Sequence, residues 1–325
     1  MQRRSSQRSA RSTGKFGRAA TCRGTILAGV HADQISISPE QVAALLADQM
    51  PVLAGMDIVA LDAVGTVNAI FRIGSSVAAR FPLRRGDPGQ ARGSLRREAA
   101  ASAEFALASP VPAPEPLGIG RPGHGYPMPW STQSWLPGTT ASPDRHDTST
   151  DLAIDIAELI HRLRQSDTRG RRFTGHGRGG QISDHDEWID ECITGSEHLL
   201  DTDAMRLLWS RLRRLPRHDP DAMCHGDLTP SNVLVTGERL TGVLDTGGFG
   251  AADPALDLVV AWHLFADAQR AQLRDALGCS DLQWERGAAW AFQQAAGAYW
   301  YYQDTNPAMA RMGRTTLERL IQADA

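Results

Sequence analysis

The chain has 325 residues, 42% hydrophobic and 22% charged, with 31 Gly and 18 Pro, which excludes collagen, coiled coil and wholesale disorder and suits one large or two small globular domains. No stretch approaches the roughly 20 consecutive apolar residues of a membrane-spanning helix, since even Leu256 to Phe265 is interrupted by Asp257 and His263. The net charge of -3 hides a basic tail: residues 1–24 carry seven basic and no acidic side chains, leaving 27 basic against 37 acidic in the remainder, a balance that argues against a nucleic-acid-binding body.

Residues 1–34, rich in Ser and Arg, hold too few large apolar side chains to fold and read as a disordered basic tail. Order is expected from Ser38-Pro39-Glu40-Gln41, where a Ser cap, Pro at the first helical position and Gln three residues after the cap open a helix with Val42, Leu45 and Leu46 on its apolar face. Three short strands follow, Ile58 to Leu61, Ala69 to Ile73 and Val77 to Phe81, the last two joined by a Gly74-Ser75 turn, as a small antiparallel sheet. A helix is predicted around Ser94 to Ala108, with Glu98 beside its apolar face. Residues 110–129 hold seven of the prolines and read as a long irregular connection into an aromatic strand, Trp130 to Leu136, before Pro137-Gly138 breaks the chain. A boundary there divides residues 35–136 from a mainly helical part, 137–325.

In that second part helices are predicted over the Leu152 to Leu163 repeat, Asp184 to Leu200, Asp203 to Leu215, Ala255 to Ala266, Ala268 to Leu277, Asp281 to Tyr301 and Pro307 to Ile321. One strand-rich interval, Asn232 to Leu244, interrupts them, and the glycine-rich run after Gly170 reads as a mobile surface loop.

The densest chemistry lies in His225-Gly226-Asp227-Leu228-Thr229-Pro230-Ser231-Asn232, with Asp245-Thr246-Gly247 thirteen residues on. Val233 to Val235 and Leu240 to Leu244 flank a Thr236-Gly237-Glu238 turn, so a hairpin returns Asp245 to the neighbourhood of Asn232. A carboxylate and an amide oxygen are ligands that Mg²⁺ accepts when waters and nucleotide phosphates fill its other positions. Asp227, on the preceding turn, faces the same space and can take a proton from an attacking hydroxyl. The pattern is that of a phosphoryl-transfer site. Cys22, Cys192, Cys224 and Cys279 form no C-x-x-C pair, which suits a reducing cytoplasm, and Lys15 is the only lysine, so no G-x-x-x-x-G-K-[ST] loop exists.

This stretch resembles the catalytic loop and metal turn of the aminoglycoside phosphotransferase family, relatives of the protein kinases; Gly226, where protein kinases usually carry Arg, points to the small-molecule branch. The resemblance implies an α+β, two-lobed protein-kinase-like fold, with a small antiparallel-sheet N-lobe and a mainly helical C-lobe. It implies Asp227 as catalytic base, Asn232 and Asp245 as Mg²⁺ ligands, and Asp257, in Asp253-Pro254-Ala255-Leu256-Asp257, as anchor of the loop. By the same matching Gly65 and Asn68 belong to the loop over the nucleotide phosphates, Arg80 stands where kinases keep a lysine, Glu98 is its helix-borne partner, and Gln133 and Ser134 lie in the adenine hinge. The implied reaction moves the γ-phosphate of ATP or GTP to a hydroxyl of a small molecule, an aminoglycoside or another antibiotic, by a monomer or dimer. The acidic body suits a cationic acceptor, and Asp184, Asp186, Glu187, Asp190, Glu191 and Trp300-Tyr301-Tyr302 are candidates to line its pocket. Two alternatives stand beside this reading: a kinase of another metabolite, such as a macrolide, sugar or amino alcohol, and a pseudokinase-like nucleotide binder, motivated by Arg80 and Thr246.

Overall fold

The structure, a computed structural model, describes residues 35–61, 67–175, 177–303 and 305–324, so the expectations for the basic tail and for Gly65 lie outside the described residues. Helix α1 (Pro39–Gln49) opens on the predicted capping box: Ser38 Oγ accepts from the Gln41 N–H at 3.3 Å, and Gln41 Oε1 accepts from the Ser38 N–H at 3.0 Å. Its Val42, Leu45 and Leu46 are buried in one cluster with Phe71, Phe81 and Trp130. That cluster covers an antiparallel sheet of β1 (Ile58–Ala60), β2 (Asn68–Ile73), β3 (Val77–Pro82), β4 (Pro116–Gly120) and β5 (Trp130–Ser134), in the order β1-β2-β3-β5-β4. Phe81 stacks on Trp130 at 5.0 Å and meets Tyr126 edge-on at 5.3 Å, so aromatic contacts fasten the centre of the sheet.

Two expectations change here. Strand β4 lies inside the proline-rich connection that the sequence marks as irregular. It is an edge strand that begins at Pro116, where a missing N–H is tolerated, and its pairing with β5 supplies the order that its own residues do not announce. Helix α2 (Pro88–Ala108) starts one and a half turns before the predicted Ser94, because Asp87 Oδ1 caps it by accepting from the Gln90 N–H at 2.7 Å.

The rest of the chain carries β6 (Thr139–Thr140), α3 (Pro143–His146), α4 (Thr150–Gln165), α5 (Asp186–Gly195), α6 (Thr202–Leu212), β7 (Ala222–Cys224), β8 (Val233–Thr236), β9 (Arg239–Val243), β10 (Gly250–Ala252), α7 (Val259–Leu264), α8 (Asp267–Leu277), α9 (Asp281–Tyr301) and α10 (Pro307–Asp324). Strands β6, β8 and β9 form one small sheet, and β10 pairs with β7. Helix α9 buries residues on every side from Arg286 to Tyr299, the behaviour of a core helix. Phe105, near the end of α2, belongs to this second core and meets His225 and Phe249 edge-on at 5.6 and 5.3 Å. The helix that leaves the sheet therefore ends against the His225 loop and ties the two parts together. Among the described residues no helix is long and apolar enough to cross a membrane.

Candidate active site

The loop after β7 is held from below. Asp257, 1% exposed, accepts from the His225 N–H through Oδ2 at 2.8 Å and from the Gly226 N–H through Oδ1 at 2.9 Å. Gly226 takes φ +87, a conformation that penalises any side chain. The His225 ring completes the frame: Nδ1 accepts from the Asp227 N–H at 3.2 Å, which leaves Nε2–H to donate to the Leu244 carbonyl at 2.9 Å. His225 thus ties the loop to the end of β9, a positioning role and not that of a base.

Within this frame Asn232 Nδ2 donates to the Asp227 carbonyl at 2.8 Å and, at 3.3 Å, to its Oδ2. The amide nitrogen is therefore turned toward Asp227, and Asn232 Oδ1 is left for another partner. The β8–β9 hairpin sets Val233 opposite Val243, and the Leu244 N–H donates to the Asn232 carbonyl at 2.8 Å, so Asp245 follows directly beside Asn232. Asp245 sits in the left-handed region at φ +55, which Asp tolerates better than most residues. Its carboxylate is half exposed and accepts from Arg80 Nη2 at 2.9 Å.

One cleft of about 740 Å³ brings together Asn68, Arg80, Gln133, Ser134, Asp227, Asn232 and Asp245. Glu98 is not in it. It is exposed and lines an adjoining cavity of about 360 Å³ with Arg80, Gln133 and Gly247. The partner expected for Arg80 was Glu98; the ion pair it makes is with Asp245, whose turn carries a carboxylate within hydrogen-bond reach of the guanidinium. The acidic cluster expected to line an acceptor pocket is also elsewhere: Asp186 is paired with Arg213 and accepts from Trp209, Asp190 is paired with Arg206, and none of the five acids lines the cleft. Tyr302 of the aromatic run does line it, together with Ala308, Met309, Arg311, Met312 and Thr315 of α10 and its approach.

Two groups that the sequence did not single out grip Asp227. Arg178 Nη2 donates to its Oδ1 at 2.7 Å, and Gln294 Nε2 donates to the same oxygen at 2.8 Å. Oδ1 is thereby saturated, and Oδ2 retains only the long contact from Asn232. Arg178 lies in the glycine-rich run read as a mobile loop, but the run is pinned: Gly179 O accepts from the Asp253 N–H at 2.9 Å, and Arg171 makes two hydrogen bonds to Glu104. Gln294 left one signal in the sequence, a polar pair with Gln293 inside the otherwise apolar stretch Gly287 to Tyr299 of α9.

Residues 59–291 match the model of the phosphotransferase enzyme family, well over half of the chain. The chain belongs to that family. It is 30% identical over 146 residues to an aminoglycoside 3'-phosphotransferase of Streptomyces ribosidificus, a match that takes in 41% of this chain and 52% of that protein. The chain spans little more than half the length of the curated relatives it matches. Solved structures extend the likeness: the GDP complex of aminoglycoside 2'-phosphotransferase-IIIa is 18% identical with a TM-score of 0.65, covering 88% of this chain and 99% of that one. The apoenzyme of the macrolide 2'-phosphotransferase MphH from Brachybacterium faecium is 19% identical with a TM-score of 0.57, covering 86% and 98%. At these identities the likeness establishes the fold, two-lobed and protein-kinase-like, with the antiparallel sheet in the first part and helices in the second.

Proposed function

We propose that the chain transfers the γ-phosphate of a nucleoside triphosphate to a hydroxyl of a small molecule, with Mg²⁺. The observation that carries this reading is the meeting of Asp227, Asn232 and Asp245 in one cleft, Asp227 with one carboxylate oxygen held by Arg178 and Gln294 and the other taking only the 3.3 Å contact from Asn232. In this reading residues 35–136 hold the nucleotide and residues 137–325 carry the catalytic loop and the acceptor. Asp227 Oδ2 accepts the proton of the acceptor hydroxyl while Arg178 and Gln294 keep the carboxylate from rotating. Arg80 offers its guanidinium to phosphate oxygens, and Asn68, Gln133 and Ser134 line the nucleotide side.

The donor set fits Mg²⁺. The chain offers the Asp245 carboxylate and Asn232 Oδ1 as two hard oxygens, the number Mg²⁺ accepts when waters and phosphates complete its shell. When bound there it would neutralise charge that develops on the transferring phosphoryl group. The names of the relatives support an antibiotic acceptor. The GDP complex of one neighbour supports GTP as a donor beside ATP. Tyr302, Met309 and Met312 at the acceptor end favour, among antibiotics, one that presents an apolar face next to its reacting hydroxyl.

The test is nucleotide consumption by the purified full chain with ATP or GTP and Mg²⁺ across aminoglycosides, macrolides, sugars and amino alcohols, with mass spectrometry of each acceptor. A phosphate gained by one class, and lost on Asp227→Asn while nucleotide still binds, is the expected result. Turnover retained by Asp227→Asn would remove the role of Asp227. A nucleotide-induced rise in Tm with no acceptor modified would support a non-catalytic nucleotide binder.

A further inference from the structure

We propose that His263, buried outside the cleft, is a positioning residue that works through Gln294 to hold the Asp227 carboxylate in its proton-accepting orientation. The proposal rests on the reading of Asp227 as the base. Three helices contribute one link each: Thr316 of α10 lies with Oγ1 3.0 Å from His263 Nδ1, His263 of α7 with Nε2 3.2 Å from Gln294 Oε1, and Gln294 of α9 with Nε2 2.8 Å from Asp227 Oδ1.

Hydrogen-bond chemistry gives this chain a direction. An ionised carboxylate only accepts, so Gln294 must present its NH₂ to Asp227 and its carbonyl oxygen to His263. That oxygen needs a donor, which makes Nε2 the protonated nitrogen of His263. Nδ1 is then a bare acceptor and takes the hydroxyl proton of Thr316. Each link fixes the next, and the chain ends on a hydroxyl that can rotate to suit.

A plain core histidine would be an expensive filling for this position. His263 and Thr316 are both fully buried, and α7 around them is Val259, Val260, Ala261 and Leu264, where an apolar side chain would pack without any need for partners. Burial holds the imidazole down to about 4, against the opposing pull of Gln294 and Asp227 and with the help of Arg178 and Arg319, so it remains a neutral donor at working pH. Because Gln294 and Arg178 occupy Oδ1 together, the relay also decides which Asp227 oxygen meets the substrate.

The experiment measures kcat, nucleotide Kd and Tm for His263→Leu, His263→Gln, Gln294→Leu and the His263→Leu/Gln294→Leu pair in the full chain, on whichever acceptor the panel identifies. His263→Leu is expected to lower kcat by about tenfold or more, the scale on which outer partners of a reactive group act, with nucleotide Kd unchanged within about twofold. His263→Gln, whose amide nitrogen can stand in for Nε2–H, should recover most of that loss. Gln294→Leu should cost as much as His263→Leu, and the pair no more than the worse single change, since links in series are not additive. Unchanged kcat in soluble, nucleotide-binding His263→Leu overturns the proposal, as does a loss in both His263 variants that follows Tm alone. Should His263→Leu fail to fold, retained kcat in Gln294→Leu at the half-buried cleft wall still overturns the relay, and Thr316→Val, which strips its far end without touching Asp227, is expected to lower kcat with nucleotide Kd unchanged, an unchanged kcat there overturning it as well. Asp227→Asn separates the two levels: if it retains turnover the phosphotransfer reading falls, and if it is inactive while the His263 and Gln294 variants are normal only the relay falls.

Discussion

Replacing Arg286 by Met should be among the most destabilising single changes available in this chain. Arg286 and Asp253 are each 2% exposed, and Asp253 Oδ2 accepts from Arg286 Nε at 3.0 Å, Arg286 Nη2 at 2.6 Å and Trp290 Nε1 at 2.8 Å. The other end of the guanidinium donates through Nη1 to the carbonyls of Leu215 and Pro216 at 2.9 and 3.0 Å. Arg286→Met removes the four Arg286 bonds at once and leaves a buried carboxylate with only Trp290 and the Ala255 N–H, a loss of about 3–5 kcal/mol for breaking a buried pair from one side. In a chain of 325 residues each kcal/mol moves Tm by about 1.5 °C, so thermal unfolding should begin roughly 4–8 °C earlier. The double variant Asp253→Leu/Arg286→Met removes the uncompensated charge as well and should be more stable than Arg286→Met alone. The assay is thermal unfolding of the four proteins by circular dichroism or dye binding. A Tm for Arg286→Met within about 2 °C of the parent, or a double variant as unstable as the sum of the singles, would refute the reasoning.

Asp245→Asn should keep the fold, because Asn also tolerates φ +55, yet on the proposed reading of Asp245 as a Mg²⁺ ligand it should lower turnover by at least about 100-fold; kcat and Tm of the same preparation check both halves. Gly313→Ala should cost about 1–3 kcal/mol, since a Cβ there would stand 2.6 Å from the Tyr299 nitrogen and 2.7 Å from the Ala295 oxygen, both backbone atoms of α9 that cannot turn aside. The same displacement of α10 moves Met309 and Met312, so acceptor KM should rise while nucleotide affinity holds. His263, with a folded-state pKa lowered to about 4 from 6.5, gives a stability term with a definite sign: between these values the unfolded chain binds the extra proton and the native chain does not, so the term is complete above about pH 6.5 and is lost as pH falls toward 4. Its size is at most about 3 kcal/mol, and denaturant titrations of the parent and His263→Gln at pH 7 and pH 4.5 should show a smaller pH dependence in the variant.

What the sequence disclosed follows from how locally each feature is encoded. The Ser38–Gln41 capping box and the span of α9 needed only neighbouring residues, and the His225–Asn232 loop with its hairpin lies within about two dozen residues of continuous chain, so a spacing argument could set Asn232 beside Asp245. Strand β4 was hidden because an edge strand led by a proline has no propensity of its own and is ordered by β5. The partner of Arg80 was misjudged for a related reason: an arginine can reach several carboxylates, and which one it takes depends on the left-handed turn at Asp245, which tertiary structure imposes.

The grip on Asp227 left almost no mark on the sequence. Arg178, 49 residues before it, and Gln294, 67 residues after it, converge on one oxygen from a glycine-rich loop and from a core helix, and neither distance carries a period or a motif. The trace is physical: Gln294 interrupts a buried stretch of α9, and its two amide atoms are spent on Asp227 and on the buried His263. Polar residues inside α9 therefore mark long-range contacts of two kinds, Arg286 holding Asp253 in the core and Gln294 meeting Asp227 at the cleft wall, and only the fold separates them.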